Sequence, residues 1–148
     1  MKTYLILAVL ISALTAAFAG CGGRPTTGTP VEFANACTPE NEKKYIETSG
    51  FLDSGGGVFC SNRGGRMECS FNLRENPNGD KKISAYIEQG ASANMVEELK
   101  SGFKREDIKI RDNAGNVINL AEKVRLVGEM NVTPDAKVCF LNVTKIER

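Results

Sequence analysis

Two cysteines flanking a double glycine, in residues 58–73, constrain this chain more than any other feature. Gly64-Gly65 is a favoured two-residue hairpin turn, because the central positions of such turns need positive φ. The turn sets a register in which Arg63 faces Arg66, Asn62 faces Met67 and Cys60 faces Cys69. Counting outward from the loop places the cysteines on a non-hydrogen-bonded pair, with Cα atoms about 4.5 Å apart, inside the disulfide range. Side-chain alternation agrees with this register. Val58, Met67, Phe71 and Leu73 share the cysteine face. Ser61, Glu68, Ser70 and Asn72 share the other, with Phe59 as the exception.

A disulfide implies export, and the start of the chain supplies the means. Lys2 is followed by seventeen uncharged residues, 4–20. That is near the lower limit for a spanning helix, but Ala17-Phe18-Ala19-Gly20 ends the run in small residues, as at a cleavage site. Phe18-Ala19-Gly20-Cys21 resembles the lipobox of bacterial lipoproteins, with Phe18 where Leu is commoner. The resemblance implies a signal peptide over 1–20 and Cys21 as an acylated (palmitate-type) mature N-terminus. It also implies an address in the cell envelope, lipid-anchored to a bacterial membrane, the outer membrane facing the periplasm. Several acyl chains on one residue anchor firmly where one binds marginally. The alternative is an ordinary secretory signal cut before Gly20. Residues 21–30, rich in Gly, Thr and Pro, read as a lipidated flexible tether, and 31–148 as one domain.

With Cys21 acylated, Cys37, Cys60, Cys69 and Cys139 remain. Four cysteines allow three connectivities. The hairpin pairs Cys60 with Cys69, and elimination leaves Cys37 with Cys139. Four buried hydrophobes or a Cys₄ metal site are the alternatives, although no C-x₂-C knuckle is present.

Strand patterns cover residues 43–52, 82–89, 107–111 and 116–120. Further strands span 124–132, with Gly128 as a bulge or bend, and 137–146, with Val138, Phe140 and Ile146 on one face. One helix is expected over 94–103, with Asn94 as N-cap, Glu97 completing a capping box, and Val96, Leu99 and Phe103 as its apolar stripe. The fold class is mostly β: a small OB-like β-barrel of about 5–7 short strands with one short helix. The last fifty residues resemble the OB-fold-like domains of small exported bacterial proteins, through residues 108–115, 124–128 and 139–146. A β-sandwich or an α+β meander fits the same pattern.

Chemistry is sparse. The chain has no His, which removes Ser-His-Asp triads, Cys-His pairs and His-ligated zinc. Nucleotide-binding and hydrolase motifs are missing too, so no catalytic residue, metal ligand or cofactor is assigned. Removing 1–20 deletes Lys2 and no acid, leaving 18 basic and 18 acidic side chains. A neutral domain lacks the field that draws nucleic acid, so nucleic acid is not an expected partner. The ligand-binding candidates are Phe59, Arg63, Arg66, Lys109 and Arg111, with Tyr45 and Tyr86 beside them; the alternative is core aromatics and a solvated basic face. Arg63 opposite Arg66 is notable, because like charges across a strand pair repel. The expected role is a non-enzymatic, membrane-anchored envelope lipoprotein whose barrel binds a protein or small ligand. An OB-type module for oligosaccharide or nucleic acid is the alternative.

Overall fold

The structure is a computed structural model that describes residues 23–148; the expected signal peptide and Cys21 lie outside the described residues. In chain order it contains β1 (Thr29–Pro30), α1 (Phe33–Ala36), β2 (Tyr45–Asp53), β3 (Phe59–Arg63), β4 (Arg66–Arg74) and β5 (Lys82–Glu88). Then follow β6 (Ile110–Arg111), β7 (Val117–Ile118), β8 (Lys123–Val132) and β9 (Cys139–Glu147). Five strands close on themselves in the order β2–β4–β5–β9–β8 and back to β2. All neighbours are antiparallel except β5 and β9. This is a small OB-like barrel.

Alternation builds the core. Ile83, Ala85 and Ile87 of β5 and Cys69, Phe71 and Leu73 of β4 point inward and are buried. Ser70, Asn72, Ser84 and Tyr86 between them point outward. Following paired residues once round the barrel, from Tyr45 through Glu129, Asn142 and Tyr86 to Ser70, returns opposite position 55. That is a displacement of ten residues over five strands, so the strands are strongly tilted.

Both expected cysteine pairs are disulfides. Cys60–Cys69 has a Cα separation of 4.0 Å and Cys37–Cys139 one of 5.6 Å. No thiolate set is left for a metal among the described residues. The first bond staples the hairpin, whose turn glycines both have positive φ. The second ties β9 to the segment after α1, which places Ala36 in the core at one end of the barrel.

Three sequence expectations change. Residues 94–103 are not helical. Asn94 has a φ of 62°, and its Oδ1 accepts the Ile146 N–H instead of capping a helix. The segment runs extended: the Val96 N–H donates to Glu88, and the Glu97 N–H to Lys109. Tertiary pairing thus takes the amides that a helix would use. Val96, Leu99 and Phe103 are apolar because they cover the barrel core. Among the described residues the one α-helix is α1, beside single-turn 3-10 helices at Pro39–Asn41 and Arg105–Asp107.

The face of β9 is also different. Val138 is exposed and Phe140 points outward, while Cys139, Leu141, Val143 and Ile146 are buried. The cause is a bulge. Val127 pairs with Lys145 and Gly128 with Val143, so Thr144 is the extra residue and alternation resets there. Gly128 belongs to this bulge, as its sequence position suggested. Finally, the tether is not free. From Arg24 onward it lies on the barrel, and β1 pairs with β2 at Thr29–Ile46.

Gly128→Ala would place a methyl group against the Asn142 carbonyl, a backbone atom that cannot move aside. We expect a loss of about 1–3 kcal/mol, read as a lower denaturant midpoint; an unchanged midpoint would show that the bulge relaxes. The two disulfides should differ as well. Sequence separations of 102 and 9 give chain-entropy contributions of about 4.7 and about 2.6 kcal/mol. Paired Cys→Ala variants should therefore lose more stability at Cys37–Cys139 than at Cys60–Cys69, and the reverse order would contradict this.

Candidate functional site

The circuit that defines the barrel's tilt also lays out one outward row across six strands. Tyr45, Glu129, Asn142, Tyr86, Ser70 and Phe59 are successive register partners. Period two keeps all of them on the solvent side. Phe59 ends the row and is 71% exposed, an unusual setting for a phenylalanine.

Over this row sits a charge network. Arg63 and Arg66 are opposed as the turn requires. Their repulsion is offset by two acids that are themselves register partners, Glu68 and Glu88. Arg63 lies 3.8 Å from Glu68 and Arg66 lies 3.9 Å from Glu88. A third cation arrives from the N-terminal segment: Arg24 donates to Glu88 at 2.6 Å and lies 3.7 Å from Glu68. Glu68 is only 6% exposed, so its charge depends on these partners. The Arg63 guanidinium stacks 3.9 Å from the Tyr86 ring centre and 5.0 Å from that of Phe140. Those two rings meet edge to face at 5.4 Å.

Beside this network opens a surface hollow of about 340 Å³, bounded by Arg24, Tyr45, Arg63, Glu68, Glu129 and Asn142. The Asn142 Oδ1 is buried there and has no hydrogen-bond partner.

The N-terminal segment is pinned beside the hollow at several points. The Thr144 hydroxyl is in hydrogen-bond reach of the Pro25 carbonyl, and the Val31 N–H donates to Glu47 at 2.9 Å. Gly28 packs so closely that a Cβ would lie 2.5 Å from the Ile46 carbonyl carbon. Val127 faces away from the core next to Thr144, yet is 1% exposed.

The structure therefore brings together Arg63, Arg66, Tyr45 and Tyr86, with Phe59 at the end of their row. Lys109 and Arg111 do not join them. Both pair with Glu97, and Lys109 lines a different hollow. Sequence reasoning missed Arg24, Glu68, Glu129, Phe140 and Asn142 as site residues. Arg24 carried a signal, being the single charge in residues 22–31. Phe140 was hidden by the bulge, which reversed its apparent face. Among the described residues, no group of three or more His, Cys, Asp or Glu side chains could hold a metal ion. No helix there is long and apolar enough to cross a membrane. No protein-family model, curated protein or solved structure matches the chain.

Two other carboxylates hold the frame. Burial pushes Asp53 up, but hydrogen bonds from Arg74 and Arg105 outweigh it and hold the carboxyl below its ordinary value. At Asp112 burial also pushes up, and hydrogen bonds from Asn116 and Ala114 with the Arg148 charge outweigh it. Both shifts are downward, so their stabilisation is fully present above the unfolded value, about 3.9, and drains as pH falls through the folded values. The urea midpoint should fall below about pH 4, and Asp53→Asn should flatten the decline. A wild-type midpoint unchanged on acidification would contradict both assignments.

Proposed function

We propose that the protein is a non-enzymatic, membrane-anchored envelope lipoprotein whose barrel binds a protein or small ligand through the Tyr45–Asn142–Tyr86 face. The observation that carries the binding role is the hollow itself, in which Arg24, Arg63 and Arg66 stand with Glu68 and Glu129 around Tyr45 and Asn142. Such a face suits a ligand bearing both a cation and an anion: carboxylates take the cation, and guanidinium groups take the anion. The anchoring role rests on the lipobox resemblance at Phe18-Ala19-Gly20-Cys21.

The OB-type alternative keeps one supporting observation, the aromatics Tyr45, Tyr86 and Phe59 spaced along one row, as stacking platforms are. The mixed charge of the face speaks against a phosphate backbone. Glu68, Glu88 and Glu129 balance Arg24, Arg63 and Arg66, which leaves no net positive groove.

Two measurements test the proposal. Intact mass of protein extracted from bacterial membranes should show acyl chains on Cys21; an unmodified chain beginning at Gly20 would overturn the anchor. Thermal melts of the full-length protein with a mixed-charge peptide, glycerophosphoethanolamine, a neutral oligosaccharide and a single-stranded oligonucleotide test the face. A mixed-charge probe should raise the melting temperature, and Asn142→Ala should abolish the rise. Stabilisation by the oligosaccharide or oligonucleotide alone would favour the alternative.

A further inference from the structure

We infer that the Tyr45–Asn142–Tyr86 face lies against the membrane that carries the anchor, and that its ligand is the zwitterionic lipid headgroup layer. This rests on acylation of Cys21. The first argument is reach. Only Gly22 and Gly23 separate Cys21 from Arg24. Three residues of fully extended chain span about 11 Å at most. Arg24 is held on the barrel by Glu88 and Glu68, and the pinning continues through Pro25, Gly28 and Thr29. An anchor at Cys21 therefore draws this side of the barrel to the bilayer, where a free ten-residue tether would let it tumble.

The second argument is chemical. A zwitterionic headgroup presents a phosphate and an ammonium. Arg63 and Arg66 at the hairpin tip offer donors for the phosphate. Glu68 and Glu129, which line the hollow beside Tyr45, offer a seat for the ammonium. Exposed Phe59 lies on the same hairpin face as these arginines, four residues down β3 from Arg63, an apolar group on a basic face as at interfacial contacts. The carboxylate partners of Arg24 are mostly buried, so releasing it would leave Glu68 with one fewer cation in a desolvated place.

The absence of tryptophan from the chain makes the test clean. Phe59→Trp places a single indole on the face. Asn78→Trp places one in the β4–β5 turn, beyond the far end of β4; Phe59 pairs with Ser70, so the strand between the two probes runs on for about 13 Å to Arg74 before that turn. Each lipidated full-length variant is reconstituted in phosphatidylethanolamine–phosphatidylglycerol vesicles with a fraction of headgroup-nitroxide lipid. Emission at position 59 should be quenched severalfold more strongly than at position 78. Adding Arg24→Ala should erase that difference while vesicle association persists. Equal quenching at the two positions in an acylated, vesicle-bound protein would overturn the orientation and leave the anchor standing. A chain without acyl groups that does not bind vesicles would overturn both.

Discussion

Five strands can close into a barrel this narrow only where two backbones come nearer than a side chain permits. Two glycines mark those places. A Cβ at Gly50 would lie 2.6 Å from the Arg74 carbonyl oxygen, where β2 leaves one neighbour and joins β4. Gly128 sits against the Asn142 carbonyl, at the bulge that lets β9 turn. Both contacts are backbone to backbone, so neither partner can rotate away. The tilt that follows from closure aligns residues of distant sequence into one outward row, and the row supplies the hollow.

That hollow shows how charge is tolerated on a half-buried surface. Isolated surface ion pairs contribute little. Here Glu68 is almost fully covered and is neighboured by Glu88, so the two acids need cations in order to stay folded under them. Arg24 and Arg63 fill that need from opposite sides, one from the N-terminal segment and one from the hairpin. Arg63 gains about 0.5–2 kcal/mol more from its seat on the Tyr86 ring. The N-terminal segment from Arg24 onward is thus part of the barrel's electrostatics.

Local signals made part of this legible. The Gly-Gly turn fixed the hairpin register, and with it the first disulfide and the outward placing of Phe59 and Glu68. The strand pattern fixed most of the core, and Gly128 pointed to the bulge. What failed was non-local. Val96, Leu99 and Phe103 carry helical spacing, but the Val96 amide pairs with β5 and the Glu97 amide with Lys109 beside β6, which no window along the chain can show. The extra residue at Thr144 inverted the apparent face of Phe140. Arg24 looked like a stray charge in a tether because its partners lie 44 and 64 residues away. Lys109 and Arg111 looked free because Glu97 had been given to a helix cap.

The claim that this face meets the membrane is tested most directly by arginine footprinting. The lipidated protein is treated with phenylglyoxal in detergent and on vesicles, and the modified residues are mapped by mass spectrometry. Arg105 serves as the reference. It is exposed and paired with Asp53 next to Arg74, at the end of β4 away from the hairpin tip. Loss of reactivity at Arg63 and Arg66 on vesicles, with Arg105 unchanged, is the predicted result. Protection of Arg105 with Arg63 and Arg66 still reactive would contradict it.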